Sequence, residues 1–264
     1  PEANTPGYDS TAYWARGGFA HTLTPSDYDQ EVGSRGAIGD KPAAMNLAYG
    51  VAAALFRRER TGQPAVVDVS LLGSAVWTLS SDILSTTIAR TPPDPAVKPN
   101  RPLGGYRTKD DRLITVMLLN EAHWPGFCRV IGREDLTRDE RFAARADRLE
   151  HAADYEAEVR ATFASRSYDE WCEILRDSGT PWAPAQSAYE VARDPQVEAN
   201  NYLVSVQTDD DAGYTLASVP VEFDETPTVP GRAPDVGQHT EEVFLELGLT
   251  WDEIIQLKLA DVLA

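Results

Sequence analysis

A chain of 264 residues with 42% hydrophobic and 25% charged side chains is long enough to bury one or two cores. With 42 acidic against 24 basic residues it carries a net charge of −18, which argues against nucleic acid or an anionic membrane surface as partner, because phosphate binding needs clustered Lys and Arg. No run of about 18 apolar residues offers a membrane-spanning helix, and residues 1–10 do not follow the pattern of a secretory leader. Cys128 and Cys172 each sit in an apolar helical stretch and read as reduced core thiols of a cytoplasmic protein. His21, His123, His151 and His239 are scattered without metal-ligand spacing, so no metal is expected.

The chain opens with the turn Pro6-Gly7 and helical spacing over residues 8–16, which Gly17-Gly18 stops. Residues 22–36 are polar and read as a loop. The small-residue stretch Gly36-Ala37-Ile38-Gly39 then delivers one carboxylate, Asp40, to the start of a long helix reaching about residue 60. Met45, Ala48, Ala52, Leu55 and Phe56 share one broad apolar face, Arg57, Arg58 and Arg60 suit the negative C-terminal end, and Gly62 closes it. From this stretch alone Asp40 has two compatible roles. It can be the helix N-cap, with Pro42 tolerated just behind it, or a nucleophile held at the helix mouth. Residues 65–72 alternate and are β-branched, which predicts a strand, and residues 73–89 are apolar enough for a second buried helix. Prolines 92, 93, 95, 99 and 102 make residues 91–101 a linker.

A second domain is expected over residues 102–199. Strand patterns on either side of Asp110-Asp111 predict a hairpin. Helices follow near residues 124–132, over 139–163 with a break at His151, and over 168–178 with Trp171, Ile174 and Leu175 inward; Asp194-Pro195 opens a further helix or turn. Residues 200–264 read as two strands, a proline-rich turn and two amphipathic helices, the last with a Thr250-x-x-Glu253 capping box.

Seven stretches carry a resemblance, in register along nearly the whole chain. They are Pro6-Gly7-Tyr8-Asp9, Gly39-Asp40 with its Ala-rich helix, Val67-Asp68-Val69-Ser70-Leu71-Leu72, Asp139-Glu140-Arg141-Phe142, Asp169-Glu170-Trp171, Gly179-Thr180-Pro181-Trp182-Ala183-Pro184-Ala185, and Ala233-Pro234-Asp235-Val236-Gly237-Gln238-His239-Thr240-Glu241-Glu242-Val243. Together they resemble the class III CoA-transferases, the family of formyl-CoA transferase and carnitine CoA-transferase. The stretch from Pro6 through Gly18 is most similar to the branch acting on 2-hydroxy acids of the aryl-lactate type.

The resemblance implies an α/β fold: a Rossmann-like large domain, of which residues 1–90 are part, plus a smaller α+β domain, with residues 200–264 returning to the large domain and two chains interlocked as a homodimer. Family members begin with a further Rossmann-like half that carries much of the CoA-binding surface, so that half is expected from a longer polypeptide or a second chain. It implies transfer of CoA, present as a substrate thioester, from an acyl-CoA to a carboxylic acid. The family's catalytic aspartate falls on Asp40, and Tyr8 and Asp9 fall on a supporting pair. Gly39, Gly104 and Gly105 fall on substrate-binding positions, the last two on a mobile glycine-rich loop. Trp14, Phe19 and His21 are candidate pocket walls by proximity to Tyr8. The related α-methylacyl-CoA racemases are the alternative, but they carry His where this chain has Tyr8, and a phenol is a poor base at neutral pH. A non-catalytic partner subunit is the other alternative, against which an intact Asp40 context speaks.

Overall fold

Among the described residues of 4–90 the small-residue signals produce helices and no strand. A computed structural model describes residues 4–25, 27–90, 104–207, 213–226 and 228–263, and the chain divides into two units, Pro1–Arg101 and Pro102–Ala264. The first unit holds one π-helical turn, Asp9–Ala15, then α1 (Phe19–Leu23), α2 (Asp40–Thr61), α3 (Leu71–Thr78) and α4 (Ser80–Ala89). Gly18 at φ 96° separates the π turn from α1, and Gly62 at φ 69° ends α2, both conformations that a side chain disfavours. The small core of this unit is Tyr13, Trp14, Ala20, Ala75 and Leu79.

Three expectations for this unit are corrected. Residues 65–72 form no strand: the extended chain has no neighbouring strand among the described residues to take its backbone hydrogen bonds. Ser70 instead caps α3, its Oγ accepting from the Gly73 N–H at 3.0 Å. The single buried helix over 73–89 is two helices, broken at Leu79, whose Ile83, Leu84 and Ile88 remain exposed. The apolar face of α2 is also exposed, with no buried residue along its length. Accordingly, no strand of a Rossmann-like layer occurs among the described residues of 4–90. The proline-rich linker at 91–101 lies outside the described residues, as do residues 208–212 between the two expected strands.

In the second unit β1 (Gly104–Arg107) and β2 (Leu113–Val116) form the expected hairpin, with Asp111 turning it at φ 63°. After α5 (His123–Val130), a 3-10 turn (Glu134–Thr137), α6 (Arg145–Glu150), α7 (Ala152–Phe163) and α8 (Tyr168–Leu175) comes β3 (Trp182–Pro184). It adds to the hairpin antiparallel, with Thr115 opposite Ala183. The core of this unit is aromatic: Phe163 lies between Tyr106, at 4.8 Å, and Trp171, at 4.7 Å, and Trp171 donates its indole N–H to the Phe163 carbonyl at 2.8 Å. Arg148 enters this core at 5% exposure, stacked on Trp124 and paired with both oxygens of Glu121. Cys128 is fully buried there and its thiol is pushed up to about 12 by that burial, as befits a packing residue. Beyond lie α9 (Ala188–Val191), α10 (Pro195–Ala199), the β4 (Leu203–Val206) and β5 (Tyr214–Ala217) hairpin, α11 (Thr240–Glu246) and α12 (Trp251–Leu259). Lys258 pairs with Glu241 to join the last two helices. Mixed helix and small antiparallel sheets is thus the architecture of the described chain.

Candidate active site

Four residues, 36–39, form the turn before α2, and Ala37 turns the chain at φ 59°, the left-handed region. Gly39 then occupies the helix N-cap and Asp40 is the first helical residue. The cap role anticipated for Asp40 is therefore Gly39's, and it is played by backbone alone: the Gly39 carbonyl accepts from the Ala43 N–H at 3.1 Å. No side chain caps this helix. Pro42 falls in the first turn, where no N–H is needed. The Asp40 side chain is exposed and has no hydrogen-bond or ion-pair partner among the described residues. It stands at the positive end of a 22-residue helix. An unspent carboxylate in that field is free to react with an electrophile, and nearby helix N–H groups can polarise a developing oxyanion.

The structure brings Asp9 and Gly39 together across 30 residues of chain: the Asp9 carboxylate accepts the Gly39 N–H at 2.8 Å. Tyr13, one turn after Asp9, closes on the same glycine, and any Cβ at position 39 would collide with the Tyr13 ring and the Asp9 carboxylate. Tyr13 is itself held, stacked on Phe19 at 4.9 Å and donating its hydroxyl to Thr78 Oγ1 at 3.2 Å. Sequence reasoning missed Tyr13; its spacing of four from Asp9, which puts both on one helical face, was the available signal. Nor did any residue type announce the left-handed Ala37.

The remaining candidates are placed as follows. Tyr8 is 74% exposed, and its phenol has no partner among the described residues. Trp14 is buried and donates its indole N–H to the Val32 carbonyl at 2.8 Å, while Phe19 stacks between Tyr13 and Trp14. His21 is exposed in α1. Gly104 and Gly105 belong to the second unit and pair with Val116 and Thr115 in the β1–β2 ladder, so in this structure they are strand rather than loop.

The chain belongs to CoA-transferase family III, which it matches over residues 1–240. It is 32% identical, over 98% of its length, to the (R)-2-hydroxy-4-methylpentanoate CoA-transferase of Clostridioides difficile, covering 65% of that protein. To the cinnamoyl-CoA:phenyllactate CoA-transferase of Clostridium sporogenes it is also 32% identical, covering 98% of this chain and 64% of the relative. Among solved structures, Rv3272 of Mycobacterium tuberculosis superposes with a TM-score of 0.76 at 27% identity, covering 91% of this chain and 64% of that one. A CAIB/BAIF family protein from Brucella suis shares the fold, with a TM-score of 0.74 at 22% identity over 94% of this chain and 64% of that one. The chain therefore spans just under two thirds of the length of these relatives.

Proposed function

We propose that the chain carries the catalytic aspartate of an acyl-CoA:carboxylate CoA-transferase, with Asp40 as nucleophile. The observation that carries the reading is the exposed Asp40 carboxylate on the first residue of α2, which has no partner among the described residues. An Asp40 oxygen attacks the thioester carbonyl carbon, the C–S bond breaks, and a mixed acyl-aspartyl anhydride and CoA thiolate result. The thiolate attacks the aspartyl carbonyl, releasing the donor carboxylate and leaving an aspartyl-CoA thioester. The acceptor carboxylate attacks that thioester and expels the thiolate, which then takes the acceptor acyl group and frees Asp40. Each step exchanges one activated acyl bond for another, so no ATP and no net proton is consumed. Two relatives named for 2-hydroxy or aryl-lactate acids support an acceptor of that class.

Tyr8 and Asp9 support the nucleophile in this reading. Gly39, Trp14 and Phe19 lie on the substrate side. Residues 1–90 form part of a Rossmann-like large domain and 102–199 a smaller α+β domain of an interlocked, cytoplasmic homodimer. The remaining CoA contacts come from a longer polypeptide or a second chain.

The test is an intact mass spectrum of the natively assembled protein after incubation with a panel of acyl-CoA donors. The expected result is an adduct of CoA mass that hydroxylamine removes and that Asp40→Ala abolishes. Exchange of a donor α-proton into deuterated solvent with no adduct would sink this reading in favour of a racemase.

A further inference from the structure

We propose that Asp9 is a positioning residue, which holds Asp40 in place through the backbone of Gly39. This rests on Asp40 being the nucleophile. The Asp9 carboxylate takes the Gly39 N–H at 2.8 Å, and a charged acceptor makes such a bond short and strong. Asp9 is itself anchored. The Tyr8 N–H donates to Thr11 Oγ1 at 2.9 Å, and the Tyr8 carbonyl accepts the Thr11 and Ala12 N–H groups, which sets the start of the π turn. Tyr13 presses on the same glycine, with its ring held by Phe19 and its hydroxyl by Thr78. Gly39 thus donates a hydrogen bond to one residue and meets a steric stop from another. The Asp40 Cα lies one peptide unit, about 3.8 Å, beyond that grip.

Without the bond, the Gly39 N–H loses its acceptor and the Tyr13 ring alone still bears on the glycine, since no side chain caps the helix. A displacement of about 1 Å at a reacting group costs on the order of a hundredfold in rate. The bond needs an oxygen acceptor, not a charge, so Asn at position 9 should serve where Ala fails. If Asp9 instead worked by touching substrate with its charge, Asn and Ala would fail together.

The experiment compares wild type, Asp9→Ala and Asp9→Asn in the natively assembled protein, by amide hydrogen exchange over residues 36–45 and by steady-state transfer with the donor that labels Asp40. In Asp9→Ala the Gly39 amide should exchange about tenfold faster, the scale of one lost hydrogen bond. Its kcat should fall about 10- to 100-fold with KM nearly unchanged. Asp9→Asn should restore protection and return kcat to within about threefold. Unchanged exchange in the alanine variant, unchanged kcat despite faster exchange, or an asparagine variant as slow as alanine would each overturn the proposal. A wild type that never labels at Asp40 would overturn the transferase reading instead, and the exchange data would still decide whether Asp9 holds Gly39.

Discussion

Gly39 shows how little latitude a single residue has beside this site. A Cβ there has nowhere to go, because the Tyr13 ring that it would strike is buried and fixed at both its face and its hydroxyl. Gly39→Ala should therefore destabilise the protein by about 1–3 kcal/mol, the usual cost of overpacking, and, on the proposed function, should abolish labelling of Asp40 by acyl-CoA. Gly36, three residues earlier in the same turn, has nothing within 4 Å of an added Cβ. Gly36→Ala should leave the unfolding free energy within about 0.5 kcal/mol of wild type, as surface substitutions usually do. A pair of urea titrations checks both, and equal shifts would refute the steric argument.

At the scale of the element, the start of α2 contrasts with those of α8, α9 and α12. The start of α2 relies on backbone and on Asp9 from outside the helix. The starts of α8, α9 and α12 are self-contained capping boxes, Ser167 with Glu170, Ser187 with Glu190 and Thr250 with Glu253. In each box the cap residue's backbone N–H, joined by its hydroxyl, holds the glutamate's carboxyl below its usual 4.5. A depressed folded pKa means that the carboxylates contribute stability in full above the unfolded value near 4.5 and lose it as pH falls through the folded values beneath. Urea midpoints should thus hold from pH 7 to about 5 and drop below about 4.5. Replacing Glu253 with Gln should flatten part of that drop, since the amide has no proton to gain. A drop of unchanged size in E253Q would remove this box from the account.

At the scale of the whole molecule, the charge of −18 on this chain would, if the proposed function holds, oppose the approach of an anionic acyl-CoA. Screening that field should help: the Debye length falls from about 30 Å at 0.01 M salt to about 8 Å at 0.15 M. If the long-range field dominates, association of acyl-CoA should quicken several-fold over that range in stopped-flow measurements. Slowing with salt would mean that local basic groups outweigh the global charge. The other whole-molecule feature is uneven burial. Residues 106–175 close around a continuous aromatic core, whereas α2 and α4 have no buried residue. Leu55, Phe56 and Ile88 are among the large apolar side chains those helices leave exposed.

The local signals that dictated elements were those whose physics is complete within a few residues. Gly62 could be assigned to the end of α2 because only glycine takes φ 69° without strain. Asp110-Asp111 between two alternating runs predicted the β1–β2 hairpin, His151 marked the break between α6 and α7, and Thr250-x-x-Glu253 announced α12. Asp40 was legible as a carboxylate at a helix mouth, but not as a residue that leaves the cap to Gly39. What failed depended on distant partners. Residues 65–72 had strand composition but no strand to pair with among the described residues, and β3 joined the sheet without a pattern of its own because β2 supplied an edge. The hold of Asp9 on Gly39 belongs to the same class. Residue types and short spacings determine caps, turns and helix ends, because those hydrogen bonds close within one turn of chain. Only the tertiary structure decides which carboxylate is spent on a backbone N–H and which stays free, because that depends on groups 30 residues apart meeting at 2.8 Å.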